Sequence, residues 1–195
     1  MYSQHDEENI IVEKMGNVTG KFIDIGAYDG KAFSNTLRLL ELGWSGVMVE
    51  PSPGAFLGLI QNTAPHWERV ELINAAITVD GGLREWWDFG GDAIGTLDVA
   101  HRDKWQAKIS GLATKFLINT LGAAAFFKQY GPASFINLDV EGCNWELFQR
   151  LPFTWPQLVL ICVEFDDKEG EMVSLAVGHG FRRIHATPEN LILAR

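Results

Sequence analysis

The chain has 195 residues, 47% apolar and 21% charged, with a formal net charge of −9, which fits one α/β domain (1–195) with a sizeable core. The negative balance argues against a general nucleic-acid or anionic-membrane surface, because phosphate binding needs a basic face. Cys143 and Cys162 give neither a disulfide framework nor a zinc spacing, the acidic MYSQHDEENI is no signal peptide, and the apolar run at 158–163 is too short for a bilayer, so a soluble cytoplasmic protein is expected.

In chain order, EENIIVEKM (7–15) reads as a helix with Ile10, Ile11 and Met15 on one side. Lys21–Ile25 is a short strand, Lys31–Leu42 a helix stopped by Gly43, and Gly46–Val49 a near-continuous apolar strand of the kind buried on both faces. A helix from Pro53 to Asn62 and a third strand, Val70–Ile73, complete a βαβαβ series, which implies a parallel sheet with right-handed crossovers. Residues 80–118 read as an irregular insertion on the substrate side, rich in glycine and holding Trp86, Trp87 and Trp105. The α/β rhythm then resumes: helix Thr120–Tyr130, strand Ser134–Leu138, helix Trp145–Arg150, strand Leu158–Val163, helix Lys168–Val177, and a hairpin of 181–185 with 191–195 across TPEN.

In an open parallel sheet, ligands bind beyond the carboxyl ends of the strands. The first such end is FIDIGAYDG, residues 22–30. Gly26 and Gly30 permit a tight turn and close backbone approach. The loop matches neither G-x-x-x-x-G-K-[ST] nor G-x-G-x-x-G, and Asp24 and Asp29 stand where a pyrophosphate would lie, which like charges oppose. S-adenosylmethionine has the opposite needs: no phosphate, a sulfonium and a net positive charge. The second strand ends at Glu50, 20 residues beyond Gly30, where a carboxylate can accept both ribose hydroxyls. The third ends in Asn74-Ala75-Ala76, one amide and two small residues suited to an adenine edge and face.

A second acidic cluster closes the other half of the sheet. INLDVEG (136–142) runs into Asp139 and Glu141, and the strand at 158–163 runs into Glu164. These three are the candidate catalytic groups. One is suited to act as a general base, the set to bind Mg²⁺, or an acid to orient a substrate hydroxyl. Asp166 and Asp167 read as surface. The five histidines follow no ligand spacing and read as structural or exposed; His101 stands apart because it lies in the irregular stretch. Cys143 reads as a small buried residue, and the tryptophans at 86, 87 and 105 as core or as walls of a substrate pocket.

The ordered series YSQHDEENII, FIDIGAYDG, Ser34-Asn35-Thr36, GWSGVMVEPSP, INAAI and INLDVEG resembles the FkbM-like family of class I S-adenosylmethionine-dependent methyltransferases. Glu7-Glu8 stands where the family usually has Glu-Asp, and 80–118 match it only faintly, at Gly95-Thr96-Leu97. The resemblance implies a Rossmann-like α/β fold: a mostly parallel seven-stranded sheet, its last strand antiparallel, with helices on both faces. It implies cofactor contacts at Asp24, Gly26, Ala27, Asp29, Glu50, Asn74 and Ala75, with Tyr28 in the same loop. It also implies methyl transfer to a hydroxyl of a sugar or secondary-metabolite-like acceptor, with S-adenosylmethionine as cofactor and Mg²⁺ left open. A nicotinamide-dependent oxidoreductase and a non-catalytic Rossmann-like binding module stay open as alternatives, and the sequence leaves the oligomeric state unread.

Overall fold

The computed structural model describes residues 1–15 and 18–195. The chain runs α1 (Glu7–Met15), β1 (Lys21–Ile25), α2 (Leu37–Glu41), β2 (Ser45–Val49), α3 (Pro53–Thr63), a 3₁₀ turn (Ala64–His66), β3 (Val70–Ile73) and β4 (Ala76–Thr78). It continues through β5 (Gly82–Asp88), α4 (Val99–Gln106), β6 (Thr114–Gly122), α5 (Ala123–Tyr130), β7 (Phe135–Leu138) and α6 (Asn144–Phe148). β8 (Leu160–Glu164), α7 (Glu169–Gly178), β9 (Arg182–Ala186) and β10 (Asn190–Ala194) complete it.

Seven strands form the main sheet in the order β3-β2-β1-β7-β8-β10-β9. The first five run parallel, and β10, the last in sequence, lies antiparallel between β8 and β9. The Rossmann-like architecture read from the sequence is therefore present, with the terminal hairpin paired as expected. Strand order reverses between β1 and β7, where Asp24 faces Asn137 in register. A crevice opens at such a switch point because the connections leave in opposite directions.

The period of two along each strand sorts the core onto two faces. Ile23 and Ile25 join Val47, Val49, Ile136 and Leu138 beneath α5, α6 and α7, where Phe126, Phe148 and Met172 are buried. Phe22 joins Met48, Phe135 and Cys162 beneath α1, α2 and α3, with Ile11, Leu40 and Leu59. Asp24 alternates with Phe22, so its carboxylate points to this second face. No helix among the described residues is long and apolar enough to cross a membrane.

Three segments depart from the sequence expectation. Helix Lys31–Leu42 shortens to α2: Asp29 Oδ1 accepts the N–H groups of Lys31 (2.8 Å) and Ala32 (2.7 Å), and Phe33 takes φ +59°. That left-handed residue breaks the helical path, and the Ser34 hydroxyl competes for the N–H of Leu37 (3.0 Å). Residues 80–118 hold more regular structure than expected, with β5, α4 and the start of β6 at 82–88, 99–106 and 114–118. β5 and β6 pair antiparallel, β4 joins β6 in parallel to make a three-stranded sheet, and α4 lies between β5 and β6. Residues 120–122, expected in a helix, instead end β6, because Thr120 pairs with Ala76 and Gly82 across that sheet.

Gly46 shows how tightly the sheet is covered: a Cβ there would fall 2.3 Å from the Phe22 ring. Gly46→Ala is expected to lower stability by about 1–3 kcal/mol through overpacking. An unchanged urea midpoint would contradict this packing.

Candidate active site

The first loop is hooked onto the neighbouring strand. The N–H groups of Gly26 and Ala27 both donate to the Val49 carbonyl at 3.0 Å. Gly26 has φ +88°, and a Cβ there would lie 1.6 Å from the Asp139 carbonyl oxygen, so only glycine allows the β1 exit to press against the β7 exit. Asp24 lies beneath the loop. Its carboxylate accepts hydrogen bonds from Thr36 Oγ1 (2.5 Å) and Asn137 Nδ2 (2.9 Å). Burial pushes its carboxyl up to about 6, against the pull of those two bonds.

Glu50 is buried at the end of β2. Its two oxygens accept the backbone N–H groups of Tyr28 (2.9 Å) and Ser52 (2.7 Å). Each oxygen keeps a lone pair for a ligand hydroxyl. Burial pushes Glu50 up to about 7, opposed by those two N–H groups. With Gly26, Ala27, Tyr28 and Ala75 it borders a cavity of about 360 Å³, a volume in the range of small-ligand sites.

Two predicted contacts do not face this cavity. Asp29 spends its carboxylate on its own loop, capping Lys31 and Ala32, with its Cβ close to Gly58 of α3. A short aspartate is easily captured by backbone two residues on. Asn74 donates to the carbonyls of Glu50 (2.8 Å) and Pro51 (3.1 Å), which holds the Glu50 backbone in place. Both are supports of the site in this structure, not members of its lining.

The second cluster is built from the β7 and β8 exits. Oxygens of Asp139, Glu141 and Glu164 all lie within 4.8 Å of one another. Asn144, fully buried in α6, accepts the Val140 N–H (2.9 Å) and donates to Glu164 (2.6 Å). Burial and the neighbouring charges of Glu164 and Glu141 hold Asp139 well above the usual carboxylate range. Glu164 is likewise raised, by burial and then by Glu141 and Asp166. Asp139 Oδ1 is buried without a hydrogen-bond partner.

His101, the histidine that stood apart in the sequence, reaches this cluster. It is 6% exposed, and its Nε2 lies 2.7 Å from Glu141 Oε2, out of line for a hydrogen bond. Asp98 caps α4 by accepting the His101 N–H (2.6 Å), the Thr96 hydroxyl donates to the Glu141 carbonyl (2.6 Å), and Glu141 itself has φ +48°. Only the Asp98 N-cap three residues earlier signals that His101 opens a helix; nothing in the spacing points to Glu141. Trp86 and Trp105 also line the cavity, as does Phe33, which is 57% exposed at its edge. Cys143 lines it too, but burial pushes its thiol up to about 12, which rules out a resting thiolate nucleophile.

The donor set fits a cationic ligand with a ribose and resists a pyrophosphate. Carboxylates of Asp24, Glu50, Asp92, Asp139, Glu141 and Glu164 border the cavity, and Lys104 is the lysine among its lining residues. The profile described as Methyltransferase FkbM domain matches residues 24–184, from the first loop acid to β9. The chain belongs to the FkbM methyltransferase family. It is thus read as an S-adenosylmethionine-dependent methyltransferase, and the nicotinamide alternative falls away. No curated sequence matches the chain. Solved structures with the same fold include precorrin-6y C5,15-methyltransferase from Geobacter metallireducens (TM-score 0.54, 11% identity, 96% of this chain and 86% of that one). Ribosomal protein L11 methylase from Lactobacillus delbrueckii aligns at TM-score 0.53 and 10% identity over 96% of this chain and 75% of that one. TrmK of M. capricolum, bound to S-adenosylhomocysteine, aligns at 0.52 and 10% over 97% and 66%. At such identities the likeness is one of fold.

The raised Glu50 gives this cavity a pH dependence toward a ribose-bearing ligand. Below about 7 the carboxyl is neutral and loses acceptor capacity for ribose hydroxyls. S-adenosylhomocysteine affinity, measured by calorimetry, is expected to fall as pH drops from 8 to 6, by about tenfold per unit at most. In Glu50→Gln it should be weaker and flat with pH; a mutant keeping the wild-type slope would show that another group titrates.

Proposed function

We propose that this FkbM methyltransferase methylates a hydroxyl on a sugar or secondary-metabolite-like acceptor, with Glu50, Gly26, Ala27, Tyr28 and Ala75 at the cofactor and the Asp139, Glu141 and Glu164 group at the acceptor. The observation that carries this reading is the convergence of three carboxylates, two of them with raised proton affinity, on one side of the cavity. A hydroxyl must lose its proton as it becomes an ether, and a carboxylate of raised pKa is matched to that task near neutrality.

Bound S-adenosylmethionine supplies a methyl on a sulfonium, which keeps the carbon–sulfur electron pair as a neutral thioether when the acceptor oxygen bonds to the methyl carbon. The Glu50 carboxylate, held by two backbone N–H groups, fixes the ribose end. The close contact of Gly26 with the β7 exit brings the cofactor side and the acid group together. A carboxylate of that group takes the hydroxyl proton. Trp86, Trp105 and Phe33 offer flat apolar walls to a ring, and alignment of the two reactants supplies much of the rate. The carboxylate-rich lining repels a phosphodiester, which favours a small-molecule or glycan acceptor over a nucleic-acid strand.

Transfer of a labelled methyl group from S-adenosylmethionine, screened over glycosides, nucleotide sugars, phenols and amines, tests the proposal. A methyl ether is the expected product. Glu164→Gln and Asp139→Asn should each slow its formation by roughly 10²–10⁴ while S-adenosylhomocysteine still binds. Products methylated only on nitrogen or carbon would overturn the assignment.

A further inference from the structure

Two buried carboxylates hold the nitrogen ends of amides at the cavity, and so fix which way those amides face. Asp24 is buried in the sheet, and an ionised carboxylate only accepts hydrogen bonds. It takes the Nδ2 of Asn137 (2.9 Å), whose Oδ1 in turn takes the Nδ2 of Asn35 (3.0 Å). The Asn35 oxygen is what remains. Asn35 is 7% exposed and borders the cavity, and its Oδ1 is buried without a hydrogen-bond partner. An acceptor in that state is costly unless a donor arrives.

Glu7 plays the same part from α1. It is fully buried, and its Oε1 accepts from Asn190 Nδ2 (3.0 Å) and Thr187 Oγ1 (3.0 Å). The amide oxygen is again the end not committed to the carboxylate. Asn190 is buried and borders the cavity too. Both amides stand on one face of the sheet. Asn35 Nδ2 lies 3.7 Å from Cys162 Sγ, Cys162 pairs with Ile192, and Asn190 stands two residues before Ile192 on β10.

We propose that Asn35 Oδ1 and Asn190 Oδ1 receive the α-ammonium of the cofactor's amino-acid arm. The inference deepens the methyl-transfer reading and rests on it. A sulfonium carries three arms. With the adenosyl arm at Glu50 and the methyl toward the acids, the amides on the Asp24 face are left for the third. That arm ends in an ammonium, which offers three N–H donors and no acceptor. Neutral oxygens suit it better than further carboxylates, because its own carboxylate lies one carbon away and would be repelled by them. The family profile ends at residue 184, so Asn190 is a contribution of the terminal hairpin.

Calorimetric titration with S-adenosylhomocysteine and with 5′-methylthioadenosine tests the subsite. The second ligand keeps the adenosine and the thioether and lacks the amino-acid arm. Wild type is expected to bind S-adenosylhomocysteine at least about tenfold more tightly, the worth of one hydrogen bond to a charged group. Asn35→Ala and Asn190→Ala should each weaken S-adenosylhomocysteine by at least about that factor and leave 5′-methylthioadenosine unchanged. Unchanged binding of the shorter ligand also shows that the variant is folded around the cavity. Equal affinity of wild type for the two ligands overturns the proposal. So does unchanged S-adenosylhomocysteine binding in either variant, or a loss in a folded variant that falls equally on both ligands. Where circular dichroism shows a variant to be unfolded, the comparison of the two ligands on wild type decides. If S-adenosylhomocysteine binds wild type and the variants match it, the subsite fails and the methyltransferase reading stands; if it does not bind wild type, that reading fails on its own.

Discussion

Asp24 places a carboxylate inside the sheet at the point where strand order reverses, and side chains from the loop before α2 and from β7 close around it. Thr36 donates to one oxygen and Asn137 to the other, and Asn35 in turn donates to Asn137 Oδ1 at 3.0 Å. This buried chain of bonds ties residues 35 and 36 to the exits of β1 and β7. The loop from Gly26 to Thr36 is therefore fixed at both ends, at its start by the Val49 carbonyl and at its finish by Asp24. Removing either partner would leave a buried polar group unpaired, which costs more than the bond contributes. The walls of the cavity inherit their positions from this arrangement, since Glu50 is gripped by the Tyr28 N–H within the same loop.

A second set of contacts makes the Asp139–Glu141 side of the cavity equally firm. Thr96, Asp98 and His101 come from the segment between β5 and β6, and all three settle on the Glu141-Gly142 turn. A Cβ on Gly142, at φ +92°, would lie 2.9 Å from the His101 Cβ. The turn thus has to end in glycine for α4 to approach. The small sheet carries Trp86 into the cavity by the same logic: a Cβ on Gly95 would meet its indole at 2.4 Å. The glycine loop, the acid turn and the wall that carries Trp86 interlock through close backbone approaches.

Much of this was legible from residue order. Buried parallel strands announce themselves as short apolar runs, and Asp24, Glu50, Asp139 and Glu164 each close one of them or stand one residue from its end. Direction was harder to read. Asp29 is an acid in the right loop, yet its carboxylate turns back on Lys31 and Ala32. Asn74 turns to two carbonyls for the same reason: a short polar side chain satisfies nearby backbone first. The segment 80–118 was opaque because β5 and β6 gain order only by pairing across some 30 residues, as Trp86 with Phe116. Cross-strand packing, which single-chain periodicity does not encode, decides such strands. His101 was hidden for a related reason: its partner Glu141 lies 40 residues on.

The charges of the cavity also order the events that follow. Burial raises Asp24, Glu50, Asp139 and Glu164 together, so near neutrality the ligand-free pocket holds protons that free side chains would have released. A cation entering the pocket favours the ionised carboxylates and expels those protons, by the linkage that relates any shifted pKa to binding. The same acids that would be a liability in an empty pocket are what make a positively charged ligand fit. Phosphate-bearing ligands meet the opposite balance, because they would have to enter a lining that is already short of positive charge. Selectivity for a sulfonium over a pyrophosphate thus follows from the burial of the acids as much as from the shape of the glycine loop.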